Sequence, residues 1–222
     1  MTPLFTLAFI RRHLDPAARL GEVLFGLIMA LGFTAAVRIT DEPASNRDLF
    51  VAILGCNVAW AVVDGVMYVL GNLFERGRKA RIVREVRAAT DEQAALAAIA
   101  REVDGPLMEV TSEAERRRIA RDVLAVARRA VPQRTRVRVD DLLGGTAVAL
   151  AIVVSTLPVV APFVLIRDTE LAVRASNAVG VAGLALLGAR WGQLVGGSPL
   201  GIGFGLTLVG LVLVGITIVL GG

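Results

Sequence analysis

The sequence predicts an all-α, polytopic membrane protein: five transmembrane helices, with a three-helix cytoplasmic insert between the second and third. Two observations carry that prediction. Hydrophobic residues make up 55% of the 222 positions and mean hydropathy is +0.66, which leaves too little polar surface for a soluble domain of this size. Charge is also segregated. Of the 24 Lys and Arg, 16 lie between Glu75 and Asp140, as do 11 of the 20 Asp and Glu, so the rest of the chain is nearly charge-free. The division that follows is an N-terminal cytoplasmic or interfacial segment at 1–19, two spans at 20–74, the insert at 75–140 and three spans at 141–222.

The elements can be justified in chain order. Residues 3–10, PLFTLAFI, are too short to span and precede Arg11, Arg12 and His13. A cleavable signal would carry its charges before the apolar run. An interfacial amphipathic helix fits better, with Phe5 and Phe9 at helical spacing and His13 at the headgroup surface. A span needs ~20 mostly apolar residues, and five segments qualify: 20–38, 50–73, 142–166, 171–194 and 199–221. The last two are rich in glycine at steps of four (Gly188, Gly192, Gly196; Gly201, Gly205), the spacing that lets membrane helices approach closely.

Orientation follows from the loops. Residues 39–49, ITDEPASNRDL, hold three acids and one arginine. Arg11, Arg12 and Arg19 precede the first span, and Arg76, Arg78, Lys79, Arg81 and Arg84 follow the second. The positive-inside rule then puts the N-terminus and insert in the cytoplasm and the C-terminus outside. Arg167 and Arg174 fall in an outer loop and are accompanied by Asp168 and Glu170. The rule accounts for the basic balance, so nucleic acid is not needed as a partner. Cys56 is the single cysteine and Lys79 the single lysine. Arginine used in place of lysine, with abundant Ala, Gly and Val, suggests a GC-rich genome, hence a bacterial inner membrane.

Within the insert, residues 75–89 continue the second span as a charged helix. Thr90 is expected to cap a second helix that stops at Gly105–Pro106. Ser112 with Glu115 makes a capping box for a third, whose apolar face is read as Ile119, Val123, Val126 and Ala130. Glu113 with Arg117, and Arg118 with Asp122, stand four apart and read as surface ion pairs. Glu109, Glu113 and Glu115 are weak candidates for a cytoplasmic metal site.

The intramembrane polar residues carry the functional question. In WAVVDGVMYVLGN (60–72), Asp64 interrupts hydrocarbon, and an ionised aspartate at membrane depth costs at least ~2.5–3.5 kcal/mol. Asn57, Trp60, Asp64 and Met67 recur at steps of three or four, as one face. Glu22 and Met29 stand seven apart in the first span. Carboxylate, amide and thioether together suit a divalent transition metal better than Ca or Mg. The competing reading makes Asp64 polar glue, hydrogen-bonded to Asn57 or to another helix.

The order of parts resembles the vacuolar iron transporter (VIT) family. RLGEVLFGLIMALGFTAA is similar to its first span, VVDGVMYVLGNLFERGR to its second and STLPVVAPFVLI, with Pro158 and Pro162, to the end of its third. The resemblance runs from about residue 19 to the end. It implies a homodimer in the lipid bilayer that exports Fe(II) or Mn(II), with no resident cofactor, and the polar residues already read on the spans, Glu22, Met29, Asn57, Asp64 and Met67, are then the candidates for its ion pathway. The chain departs from the family where FGLIMALGF lacks the central aspartate–glycine pair, and where the insert is arginine-rich rather than glutamate-rich. An alternative from another class is a non-transporting membrane protein whose basic insert binds anionic lipid or a cytoplasmic partner. No Ser/His/Asp set, phosphate loop or zinc spacing points to an enzyme.

Overall fold

A computed structural model describes residues 3–36, 45–100, 111–131 and 134–219, and every regular element among them is a helix. In order these are α1 (Pro3–His13), α2 (Pro16–Ala36), α3 (Asn46–Ala88), α4 (Glu92–Ala100), α5 (Glu113–Arg129), α6 (Val139–Val160), α7 (Pro162–Leu165), α8 (Thr169–Val195) and α9 (Pro199–Val219). Four stretches are long and apolar enough to cross a membrane: Pro16–Thr34, Asn46–Ala88, Val139–Leu165 and Thr169–Val195. α9 is also apolar over Pro199–Val212. Leucines and phenylalanines such as Leu186 and Phe204 are more than two-thirds exposed. A water-facing domain avoids that surface, and it is compatible with an integral membrane protein.

Local chemistry sets the helix ends. Asp15 Oδ1 accepts from the Ala17 and Ala18 amides at 2.9 and 3.0 Å, and Pro16 at the first helical position has no N–H to leave unsatisfied. α2 therefore starts before the apolar run that reveals it in sequence. Asp168 caps α8 through Leu171 N at 2.7 Å, and Glu170 pairs with Arg174. These bonds give Asp168, Glu170 and Arg174 local partners. α8 ends at Gly196, whose φ of +71° is open to glycine at little cost.

The chain divides into two compact units, Met1–Tyr68 with Val139–Gly222, and Val69–Arg138. In the first, α2 supplies Leu27, Ala30 and Leu31 to a core completed by Leu49 and Ile53 of α3, Val159 and Val160 of α6, and Ala172, Val173, Leu184 and Leu187 of α8. α1 is docked rather than lying free: Ile10 is buried, as is Leu14 just beyond the helix, in a cluster with Ala147, Val148, Ala151 and Ile152 of α6. The Phe5 side chain lies outside the described residues. The glycine steps of α8 face α9. A Cβ at Gly188 would stand 2.7 Å from Gly203 Cα, and one at Gly192 2.8 Å from Pro199 Cα. That glycine face thus packs within the chain.

In the second unit Val86, Ala95, Ala98, Ile99, Leu124 and Ala127 form the core. Two expectations are corrected here. Asp91, not Thr90, caps α4: its Oδ1 accepts from Ala94 N at 2.7 Å, where a carboxylate also meets the positive end of the helix dipole. The buried face of α5 is Leu124 and Ala127, with Ala120 half-buried, while Val126 is 68% exposed. Alanines on both α4 and α5 permit a close approach that the β-branched stripe one residue away would obstruct. Arg118 and Asp122 form no ion pair with each other among the described residues.

The α8–α9 contact can be tested by thermal denaturation of the full chain in detergent. Gly188→Ala should destabilise by ~1–3 kcal/mol, because backbone rather than a movable side chain opposes the new methyl. Gly205→Ala, with nothing within 4 Å of its Cβ position, should be neutral or gain up to ~1 kcal/mol from helix propensity.

Candidate functional site

α2 and α3 carry two acids, Glu22 and Asp64, on facing sides. The Phe25 and Trp60 rings meet edge-on with centroids 6.2 Å apart. Glu22 is one turn before Phe25 and Asp64 one turn after Trp60, so helices that run in opposite directions bring the carboxyl groups within electrostatic reach of each other. Both side chains are half-buried. Neither has an ion pair or hydrogen bond among the described residues, and Arg19, one turn before Glu22, does not pair with it.

The remaining members of the predicted stripe separate. Asn57 is fully buried. Its Nδ2 donates to the Ile53 carbonyl at 2.9 Å, and its Oδ1 lies 3.1 Å from Thr156 Oγ1 of α6. Thr156 Oγ1 is also 2.9 Å from the Ile152 carbonyl, so its one proton is shared. Asn57 is therefore an interhelical tie and not a neighbour that satisfies Asp64. Met67 is 60% exposed, on the same side of α3 as Trp60. Met29 is half-buried on α2. The buried face of α3 instead runs Ile53, Asn57, Ala61, Gly65, and a Cβ at Gly65 would meet Gly145 O of α6 at 2.7 Å.

Several polar residues outside the predicted stripe belong to the same buried set. Thr34 Oγ1 stands 2.5 Å from Asn177 Oδ1, and Ser176 Oγ donates to the Val159 carbonyl at 2.6 Å, in the last turn of α6. Asp141, in the first turn of α6, is 4% exposed. The signal that could have found it is an acid pair directly ahead of an apolar run.

The candidates in the second unit are committed to local bonds. Glu113 lies 3.5 Å from Arg117, both exposed. Glu115 closes the predicted capping box: its Oε2 accepts from Ser112 Oγ at 2.6 Å and Ser112 N at 2.8 Å, while Ser112 Oγ accepts from Glu115 N. These Ser112 bonds hold the Glu115 carboxyl below the ordinary carboxylate range. Glu109 lies outside the described residues. Among the described residues no group of three or more His, Cys, Asp or Glu is placed to hold a metal ion. Glu22 and Asp64 make a pair of acids, half of what a closed site would need.

No protein-family model matches this sequence, and no curated protein matches it either.

Two outcomes follow for the ties just described. In a double-mutant cycle of Asn57→Ala with Thr156→Val, the coupling energy should fall near the ~0.6 kcal/mol average for membrane helices, within a ceiling of ~1.7. For α5, a carboxyl held low in the folded chain stabilises the helix above its unfolded pKa, and that support is lost as pH falls through the folded value. Hydrogen exchange at 113–116, corrected for intrinsic rates, should show the first turn loosening in acid, and Glu115→Gln should flatten the pH dependence.

Proposed function

We propose that this chain is a membrane transporter that carries a divalent transition metal, Fe(II) or Mn(II), out of the cytoplasm as a homodimer. Each protomer would have five spans, with the N-terminus and the 75–140 insert in the cytoplasm and the C-terminus outside, in a bacterial inner membrane. One observation carries the reading: Glu22 and Asp64 approach each other from two apolar helices with no cation or hydrogen-bond donor from the described chain to neutralise them. Holding two carboxylates together in a medium of low dielectric is costly. A visiting divalent cation removes that cost, and so does a proton, so the two compete for one site. Proton-coupled export follows from that competition.

Two further features support it. The order of parts is similar to the vacuolar iron transporters, although the acid sits at Asp64 and Glu22 rather than at the centre of the first span. The exposed side of α3 repeats Trp60, Val63, Met67 and Leu70 at steps of three and four, a seam on which two copies of α3 can pack. In such a dimer two acid pairs and the Met67 thioethers belong to one pathway, and the soft sulfur favours transition metals over Mg.

A second reading rests on α5. Its uncovered side carries Val123 and Val126 beside Arg116, Arg117, Arg121, Arg128 and Arg129. A basic amphipathic helix of this kind suits an anionic membrane surface without any transport.

Purified protein in liposomes with an Fe(II)- or Mn(II)-sensitive dye inside separates the two. Asp64→Asn and Glu22→Gln should each lower metal flux by more than about tenfold, since even the outer-shell partners of metal ligands are worth that much, with expression and dimer formation intact. Met67→Leu should be milder and should weaken transition-metal flux more than Mg flux. A fully active Asp64→Asn variant would sink the pathway reading.

A further inference from the structure

A second site lies apart from the acid pair, within the same unit. A cavity of about 720 Å³ opens between α1, α3 and α6, lined by Phe9, Arg12, His13, Tyr68, Asp140 and Leu143. Its volume is in the range of small-molecule sites. Its lining is mixed in a particular way. Arg12 and Asp140 carry opposite charges into one cavity, yet no ion pair joins them, and neither has another partner among the described residues. Two opposite charges held apart across a cavity match a ligand that carries both signs.

The other lining groups divide by chemistry. His13 Nδ1 donates to the Phe9 carbonyl at 2.9 Å, and its ring lies 4.3 Å from the Phe9 ring. That bond fixes the imidazole and leaves Nε2 as the ring nitrogen open to a ligand. The Tyr68 phenol has no partner among the described residues. Its place is made by Gly144, where a Cβ would overlap the ring and stand 2.7 Å from the hydroxyl. Arg12 and Tyr68 thus supply donors for a phosphate, Asp140 and the unprotonated His13 Nε2 supply acceptors for an ammonium, and Phe9 and Leu143 supply apolar wall. The cavity stands where two apolar helices begin, just before α2 at Pro16 and in the first turns of α6 from Val139. That is the level of the headgroups, where basic pockets between membrane helices take lipid phosphates.

We propose that this cavity binds the phosphoethanolamine headgroup of a membrane phospholipid. The phosphate lies against Arg12 and Tyr68, the primary ammonium against Asp140 and His13 Nε2, and the acyl chains along Phe9 and Leu143. The inference needs the membrane placement of α2 and α6 but not metal transport.

The test uses the full chain, purified in detergent, with lipid retention read by native mass spectrometry against phosphatidylethanolamine, phosphatidylglycerol and phosphatidylcholine. Wild type should retain phosphatidylethanolamine preferentially. Arg12→Gln should cut its retention by about tenfold or more, the scale of losing a charge-assisted hydrogen bond, and Arg12→Lys should restore part of it. Asp140→Asn should equalise phosphatidylethanolamine with phosphatidylglycerol while leaving phosphate binding in place. Both residues are exposed, and an unchanged thermal transition confirms that each variant is folded. Equal retention of the three lipids by wild type, or a preference that survives both substitutions, would overturn the proposal. Displacement of bound lipid by millimolar soluble phosphoethanolamine would assign the site to the free compound and overturn the lipid source. Since no flux is measured, the result is independent of the fate of the transport reading.

Discussion

A polar group surrounded by hydrocarbon has to find its partner inside the protein, and this constraint sorts the polar residues of the apolar, candidate membrane-crossing helices into two kinds. Asn57, Thr156, Ser176, Thr34 and Asn177 are satisfied, each by a group within hydrogen-bond distance on its own or a neighbouring helix. Glu22 and Asp64 have no such partner among the described residues. The first kind binds helix to helix. The second is an expense that packing does not explain, and on a surface that is otherwise apolar it is the feature that needs a reason outside the fold.

The all-helical class and four long apolar helices could be read from charge and hydropathy, because crossing a bilayer requires such a pattern over windows of ~20 residues. Boundaries were legible where a cap announced them. Ser112 and Glu115 did so; Asp15–Pro16 would have, had the apolar run not drawn attention to residue 20. Leu124 and Ala127 of α5 adjoin a stripe of valines that looks more apolar, so the pattern points to the wrong face. Which side is covered depends on the alanines of α4, and periodicity within α5 alone carries no information about them.

The site was legible in part for a related reason. An acid in an apolar run stands out against its neighbours, so Glu22 and Asp64 could be found singly. Their meeting depends on how two helices pass, which no local pattern records. The hydroxyls were harder. Thr156 is one of many threonines and serines in the spans, cheap to bury because it can bond its own helix, and its partner Asn57 is 99 residues away. Asn57 was grouped with Asp64 because steps of three and four blur a helical wheel over two turns. Its fully buried amide belongs to α6.

That assignment determines how Asp64 is presented. α3 is held against α6 at two points, by the Asn57–Thr156 contact and, two turns on, by Gly65 against the Gly145 carbonyl. Rotation by one residue, about 100°, would bring Asp64 to the position of Gly65. No Cβ fits there without moving the backbone of α6. The same rotation would withdraw Asn57 from Thr156 and leave a buried amide and a hydroxyl to seek other partners. Both costs act in one direction, so the rotation of α3 is fixed by groups that never touch the acid. Asp64 is kept half-buried beside Glu22 because its neighbour in sequence is a glycine and the residue two turns before it is an asparagine.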